Sequence, residues 1–589
     1  MRWACSVVLV AALGCQGQFS SPGGPGRTSG PGPDGPALTQ AKFFNAQEAY
    51  EHHSFAESCD PAAEPSVRPL LRLTKRELER SLRDVLTELL GTEAGTAAFG
   101  AIETDFATMP ADEVSTEHHG LFANAETVVQ ATYFEAMLPV ARELGTVGQD
   151  LLGACDEERA CFERFLQNEA RQIYRRPLGD EDVAHYLSVY DEGGLEVAVS
   201  SLFMAPQFLF HTEYEHSVGE GSFALDPYER ASRLSFALWE TSPDPMLLDA
   251  AASGELETTE GFRAQAERLF YDPRSEESIR HFISEWLELD SVALIDLDNA
   301  RARLQWETEA GAPTELDGAA LRQEAIDEIE DLIIHFIFEA SSDRFSNLLQ
   351  TRLSNAGPLL SEAIYGEGDP ARDADGRFEL TDPNRQGILG RAGFHLIDGA
   401  NRRPIMKGVR LLERVLCREI APPADNATPP EAELEDTFTT RERTTAITEI
   451  EGTSCAGCHG VINPLGFSLE TFDAFGRVSE IESIVSPTEA EPTDFVAERA
   501  VDPTATVQLN GEGIAVEGPE DLSQAISESF EAHQCFSRFW WRYINRREEN
   551  LDRGDACHLQ AIYEGLENGG RGLDQALLDG ILHAHFRTR

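Results

Sequence analysis

Apolar residues in "LTKRELERSLRDVLTELLG" recur at Leu78, Leu82, Val85, Leu86 and Leu89, the alternating three-and-four spacing that lays one face of a helix on a core. Thr74 stands where a helix cap would, Glu77 completes a capping box three residues on, and Gly91 supplies the stop. "CFERFLQNEARQIYRRPLGDEDVAHYLSVY" predicts two helices broken at Pro177, the second entered through Gly179 and Asp180. "ERASRLSFALWETSPDPMLLDAAASGEL" repeats that form with its break at Pro243 and Pro245. Strict alternation is confined to "ATVQLNGEGIAVEG", residues 505–518, around Asn510-Gly511, which predicts a hairpin. No fixed-period repeat stands out, which argues against a solenoid. The pattern therefore predicts a mainly α fold, several packed helical modules with a small β-hairpin near the C-terminus.

The start of the chain follows different rules. Met1 and Arg2 precede a short, mostly apolar run from Ala4 to Leu13, followed by Gly14-Cys15, which reads as a signal peptide over residues 1–15 rather than a membrane span. This end resembles the lipobox of bacterial lipoproteins, with Ala12 where Leu or Val is usual. The resemblance implies lipidation of Cys15, the alternative being ordinary cleavage with Cys15 an incidental residue of the signal. Residues 16–45, rich in Gly, Pro and Ser, cannot bury a core and are expected to be a disordered tether.

At 589 residues the chain exceeds one hydrophobic core. Its 48 Lys and Arg against 103 Asp and Glu leave a formal charge of -55, and Lys42, Lys75 and Lys407 are its only lysines. Such a surface repels nucleic acid and anionic lipid, so no nucleic acid is expected as a partner and a membrane only through the lipid anchor.

Ten cysteines sharpen the picture. Cys5 lies in the signal, Cys15 at the anchor, and Cys455 and Cys458 in the motif treated next. The even remainder, Cys59, Cys155, Cys161, Cys417, Cys535 and Cys557, are disulfide candidates in an oxidising compartment. Proximity and elimination suggest Cys155 with Cys161, Cys535 with Cys557, and Cys59 with Cys417.

"SCAGCHGVINPLGFSLETFDAFGRV", residues 454–478, carries the most specific chemistry. Covalent haem attachment needs two thiols about one helical turn apart and an imidazole immediately after them, and "CAGCH" supplies all three in order. Zinc would need a fourth ligand, and a thioredoxin-like disulfide would need a βαβ context. The favoured reading is haem, with zinc and redox disulfide as alternatives.

Cys455, Cys458, His459, the run Asn463-Pro464-Leu465-Gly466-Phe467, Glu470, Phe472-Asp473, Gly476 and Arg477 resemble the haem-motif module of a family of large exported bacterial proteins built from consecutive domains of unknown function. In that family Asp is usual at position 463. Stretches such as "YRRPL", "RASRLSFALWETSPD", "RRPIMKGVRLLERVLC" and "CFSRFWWRYINRR" resemble its other modules in order. The resemblance implies an N-terminal helical module at 66–145, a second at 150–216, a third at 222–350, a cytochrome c-like haem-motif module at 384–480 and a C-terminal module with the hairpin at 500–589.

One covalent haem c is thus the expected cofactor. Cys455 and Cys458 would form the thioethers, and His459 would be the axial ligand, its other ring nitrogen held by a backbone carbonyl. Pro464 is expected to end the motif helix, with Phe467, Leu469 and Phe472 packed near the porphyrin. Met406 is the candidate sixth ligand, and Arg477 either pairs with a haem propionate or forms an ion pair with Glu470 or Asp473.

Three functions fit: electron transfer with an unknown redox partner protein in the cell envelope, a haem enzyme of peroxidase or oxygenase type, or a non-redox envelope binding protein with a structural metal. No catalytic residue set stands out. The carboxylates and His335 of "EAIDEIEDLIIHFIFEA" are expected on a solvated face, and His52, His53, His118 and His119 are expected to be exposed.

Overall fold

The computed structural model describes residues 54–60, 62–63, 68, 70–112, 121, 131–213, 224–307, 316–340, 344–397, 400–418, 420, 434–486, 491–552, 554–567 and 571–588. The signal and tether expected at 1–45, with Cys15, lie outside them, as do His52, His53, His118 and His119. The described chain is mainly helical, with small two-stranded antiparallel sheets.

It divides into two compact units, each assembled from separated stretches. Among the described residues, one gathers Ser291–Leu332 and Ser346–Ala532; the other gathers the stretch from Ser54 to Asp290, Ile333–Phe345 and the stretch from His533 onward. The stretch expected as one C-terminal module, 500–589, is therefore shared between the units. Its hairpin falls in the unit that holds the CAGCH motif and its last helices in the unit that begins near the N-terminus.

Helix Lys75–Leu90 of the second unit forms as its sequence predicts. Thr74 Oγ1 accepts the Glu77 N–H at 3.0 Å, the Glu77 carboxylate accepts the Thr74 N–H at 2.9 Å, and Gly91 leaves the helix at φ 82°. Leu78, Leu82, Val85 and Leu86 are buried against Phe99, Ile102 and Phe106. The Pro-broken segments become Glu158–Asn168, Arg171–Tyr174 and Asp180–Phe203, then Pro227–Trp239 and Pro245–Ala252.

Disulfides correct two expected pairings. Cys155 joins Cys161, but Cys59 joins Cys557, 498 residues away. Cys59 is therefore not paired with Cys417, nor Cys557 with Cys535. Cys417 and Cys535 are disulfide-bonded as well. Loop-closure entropy rises only slowly with length, so nearness in sequence is a poor guide.

In the motif-bearing unit the predicted hairpin appears as Ala505–Leu509 paired with Glu512–Val516, turning at Asn510 (φ 54°) and Gly511 (φ 79°). A second hairpin, Ile481–Val485 with Phe495–Ala500, was not expected; its long connection lacks a two-residue turn signal. Helix Gly318–Phe338 buries Ile326, Ile329, Leu332, Ile333 and Phe336, yet its acidic face is not all solvated. Glu328 is buried, accepting hydrogen bonds from Ser354 Oγ at 2.6 Å and from the Tyr365 hydroxyl beside Arg391. Glu324 accepts the Leu360 N–H at 2.8 Å.

Candidate functional site

Thr453 opens the helix that carries the CAGCH motif. Its hydroxyl accepts the Ala456 N–H at 3.3 Å, and the helix runs Ser454–Phe467. One turn of helix puts Cys455 and His459 on the same face, with Cys458 beside the histidine. Both thiols are half-buried and unpaired, whereas the six other described cysteines are disulfide-bonded. Burial, with the neighbouring Cys455 thiol, pushes the Cys458 pKa up.

His459 is 6% exposed, and its Nδ1 lies 3.0 Å from Asn463 Oδ1. The Asn463 amide is fully buried and donates from Nδ2 to Thr448 Oγ1 at 2.9 Å and to Glu449 Oε1 at 2.6 Å. Thr448 passes its own proton to the Thr444 carbonyl at 2.7 Å. A side-chain amide thus occupies the place expected for a backbone carbonyl. Neither Thr448 nor Glu449 was legible as part of the site, because they lie before the motif with no periodic link to it.

Helix Pro404–Arg414 packs directly on the motif helix. Gly408 and Gly466 make this possible: a Cβ on Gly408 would meet the Ile462 carbonyl oxygen at 2.3 Å, and one on Gly466 would meet that of Pro404 at 2.0 Å. These contacts set the level of Met406. It stands between residues that face Ile462 and Gly466, about one and a half turns along from the level of His459, and its side chain is 47% exposed.

Pro464 lies inside the helix and does not end it. Proline removes one backbone donor, and here the helix continues for three more residues. Phe467, Leu469 and Phe472 are buried; Phe472 stacks on His395 with ring centroids 3.9 Å apart, and Arg441 lies over Phe467.

Arg477 takes the ion-pair alternative, and its partner is Asp473 at 2.8 Å rather than Glu470. Its guanidinium also donates to the Gln305 and Trp306 carbonyls at 3.0 and 3.4 Å. These contacts hold the turn that follows Phe472.

Two ionisable groups near the helix pair are buried, which the sequence reading did not expect of them. Lys407 donates to the Phe472 carbonyl at 2.9 Å, and burial, with Arg402 nearby, lowers its pKa to about 7. Glu470 is 3% exposed with Oε1 unpartnered, and burial, with the Glu482 carboxylate, raises its pKa to about 8.

Three consecutive stretches of the chain match known family models. Residues 161–213 match PSD5, a protein of unknown function (DUF1595); 225–366 match PSD4, a protein of unknown function (DUF1592); and 385–482 match PSCyt3, a protein of unknown function (DUF1588). The chain is a multi-module protein of consecutive domains of unknown function. No curated protein and no solved structure matches it.

The motif helix lies within the third matched stretch, and its residues fit a covalently held haem. Two free thiols about a turn apart are available for thioethers, and the histidine that follows them has its Nδ1 engaged elsewhere. Among the described residues, no group of three or more His, Cys, Asp or Glu side chains is placed to hold a metal ion.

Proposed function

We propose that this chain is an exported c-type haem protein that transfers electrons through one haem, held by Cys455 and Cys458 and ligated by His459. The observation that carries this reading is the thiol pair. In a chain whose other described cysteines are oxidised, the two that precede an imidazole in haem-motif order stay free, on the first turns of a capped helix.

When bound, the group supplies a one-electron couple whose potential follows its axial ligands and surroundings. Cys455 and Cys458 anchor it, His459 offers Nε2, and the paired helices Pro404–Arg414 and Ser454–Phe467 keep that nitrogen fixed. The disulfides are compatible with an oxidising compartment, and no helix among the described residues is long and apolar enough to cross a membrane. Both agree with export and with an envelope attachment through a lipid on Cys15. The partner is a redox protein, and charge complementarity calls for a basic docking face on it.

One observation favours a second reading, a haem enzyme of peroxidase or oxygenase type. The Met406 side chain is 47% exposed rather than packed, and a haem that it did not ligate would offer a place for a substrate.

The test is to produce the mature chain in a host with a c-type haem maturation system and to record a pyridine haemochrome spectrum after acid-acetone extraction. A c-type spectrum that survives extraction and vanishes in the Cys455→Ser, Cys458→Ser double variant is expected. Properly matured protein without haem overturns both readings. Carbon monoxide binding to the reduced protein separates the enzyme from the closed electron carrier.

A further inference from the structure

We propose that Asn463 is the positioning residue that holds His459 in its Nδ1–H form, and that Glu449 behind it makes the imidazole a stronger electron donor. This inference rests on the haem reading, and it follows from which end of each group can donate.

The Glu449 carboxylate oxygen only accepts, and it lies 2.6 Å from Asn463 Nδ2. Thr448 spends its one proton on the Thr444 carbonyl, so toward Asn463 Nδ2 at 2.9 Å it too accepts. Both neighbours therefore demand the NH2 end of the amide, and Oδ1 is turned to His459. An amide oxygen cannot donate, so the proton between it and His459 belongs to Nδ1. Nε2 is left with its lone pair, the form a metal ligand needs, and it makes no hydrogen bond among the described residues.

This Glu449, Asn463, His459 chain does from side chains what a carboxylate commonly does behind a metal-bound histidine: it fixes the ring and raises its basicity. It also accounts for an amide at 463. Aspartate could accept the Nδ1 proton, but it would set a second carboxylate beside Glu449 and oppose Thr448 Oγ1 with another acceptor.

The experiment uses the full chain with 15N-labelled histidine, of which there are 15, in wild type, Asn463→Leu and Glu449→Gln. In the haem-free protein, long-range 1H–15N spectra at neutral to alkaline pH read the tautomer, and the His459 signal is assigned by its loss in His459→Gln. Wild type is expected to show the Nδ1–H form, and Asn463→Leu to lose that preference. An Nε2–H wild type, or a folded Asn463→Leu with an unchanged tautomer, overturns the proposal.

In the haem-loaded protein, Asn463→Leu is expected to weaken the hold of His459 on iron by about 10- to 100-fold, read as the imidazole concentration that displaces it. Glu449→Gln keeps an acceptor and removes the charge, so it is expected to leave the tautomer alone and raise the reduction potential. An unmoved potential overturns the role of Glu449. The tautomer measurement needs no haem, so failure to acquire haem and failure of the positioning are read separately. Wild type and Glu449→Gln keep the question decidable should Asn463→Leu not fold.

Discussion

Replacing Gly466 with alanine sets a helix-propensity gain against a steric cost. In an open helix interior, glycine to alanine stabilises by about 1 kcal/mol. At Gly466 the added Cβ would lie 2.0 Å from the Pro404 carbonyl oxygen and 2.6 Å from its carbon. Ordinary contact between such atoms begins at about 3.5 Å, so the two helices would have to part by more than 1 Å. Both obstacles are backbone, which no rotamer change relieves, and overpacking of this kind costs about 1–3 kcal/mol or more. The steric cost wins, and a net loss of about 2 kcal/mol is expected at the upper end of that range. Gly460 on the same helix is the control, because a Cβ there meets nothing within 4 Å. Gly460→Ala should gain up to about 1 kcal/mol. At roughly 2–4 °C per kcal/mol for a body of this size, thermal scans by circular dichroism should resolve the opposite shifts. Gly466→Ala melting at or above wild type would refute the close approach, and with it the placing of Met406.

Glu470 should make stability fall toward alkaline pH. Its folded pKa of about 8 lies above the ordinary 4.5, so its contribution is full below about 4.5 and is lost as pH rises through about 8, a few kcal/mol in all. Glu470→Gln should flatten urea midpoints between pH 5 and 8 and exceed wild type at pH 9; parallel pH profiles would sink the reasoning. Cys59→Ser opens a cross-link between residues 498 apart and should cost about 2–5 kcal/mol, seen as a lower melting midpoint under non-reducing conditions. An unchanged midpoint would show that the ends of this unit are held by packing alone.

Local chemistry was the legible part of the fold. Thr74 with Glu77, Pro177, Pro245 and Asn510-Gly511 each act through neighbours within a few residues, and the helices and hairpin formed where those residues direct. The hairpin of Ile481–Val485 and Phe495–Ala500 was hidden because the sequence between its strands is long and has no two-residue turn signal. The link of Cys59 to Cys557 was hidden because tertiary packing, not chain distance, selects the partner. At the site, the thiols and His459 were legible from spacing, while the direction of Arg477 required knowing which carboxylate the turn after Phe472 brings back. Asn463 was visible as a departure from Asp; its reason, Glu449, lay 14 residues away and became visible only when the side chains were in place.

The burial of cations bears on how this protein meets a partner. Lys407, Arg402, Arg410, Arg385 and Arg391 are all buried in the motif-bearing unit, and each donates to backbone carbonyls. In a chain with 48 basic residues against 103 acidic ones, using cations as internal hydrogen-bond donors leaves the exposed charge more anionic than the formal balance of -55 conveys. A field of that sign speeds encounters with cationic surfaces and slows encounters with anionic ones, and it is screened over about 8 Å at physiological salt. An electron-transfer partner should therefore associate more slowly as ionic strength rises, whereas a small neutral oxidant reaching an open sixth position would be indifferent to salt. The two readings of the site thus separate on kinetics alone, since the same buried cations that hold its helices together set the charge of the surface a partner has to approach.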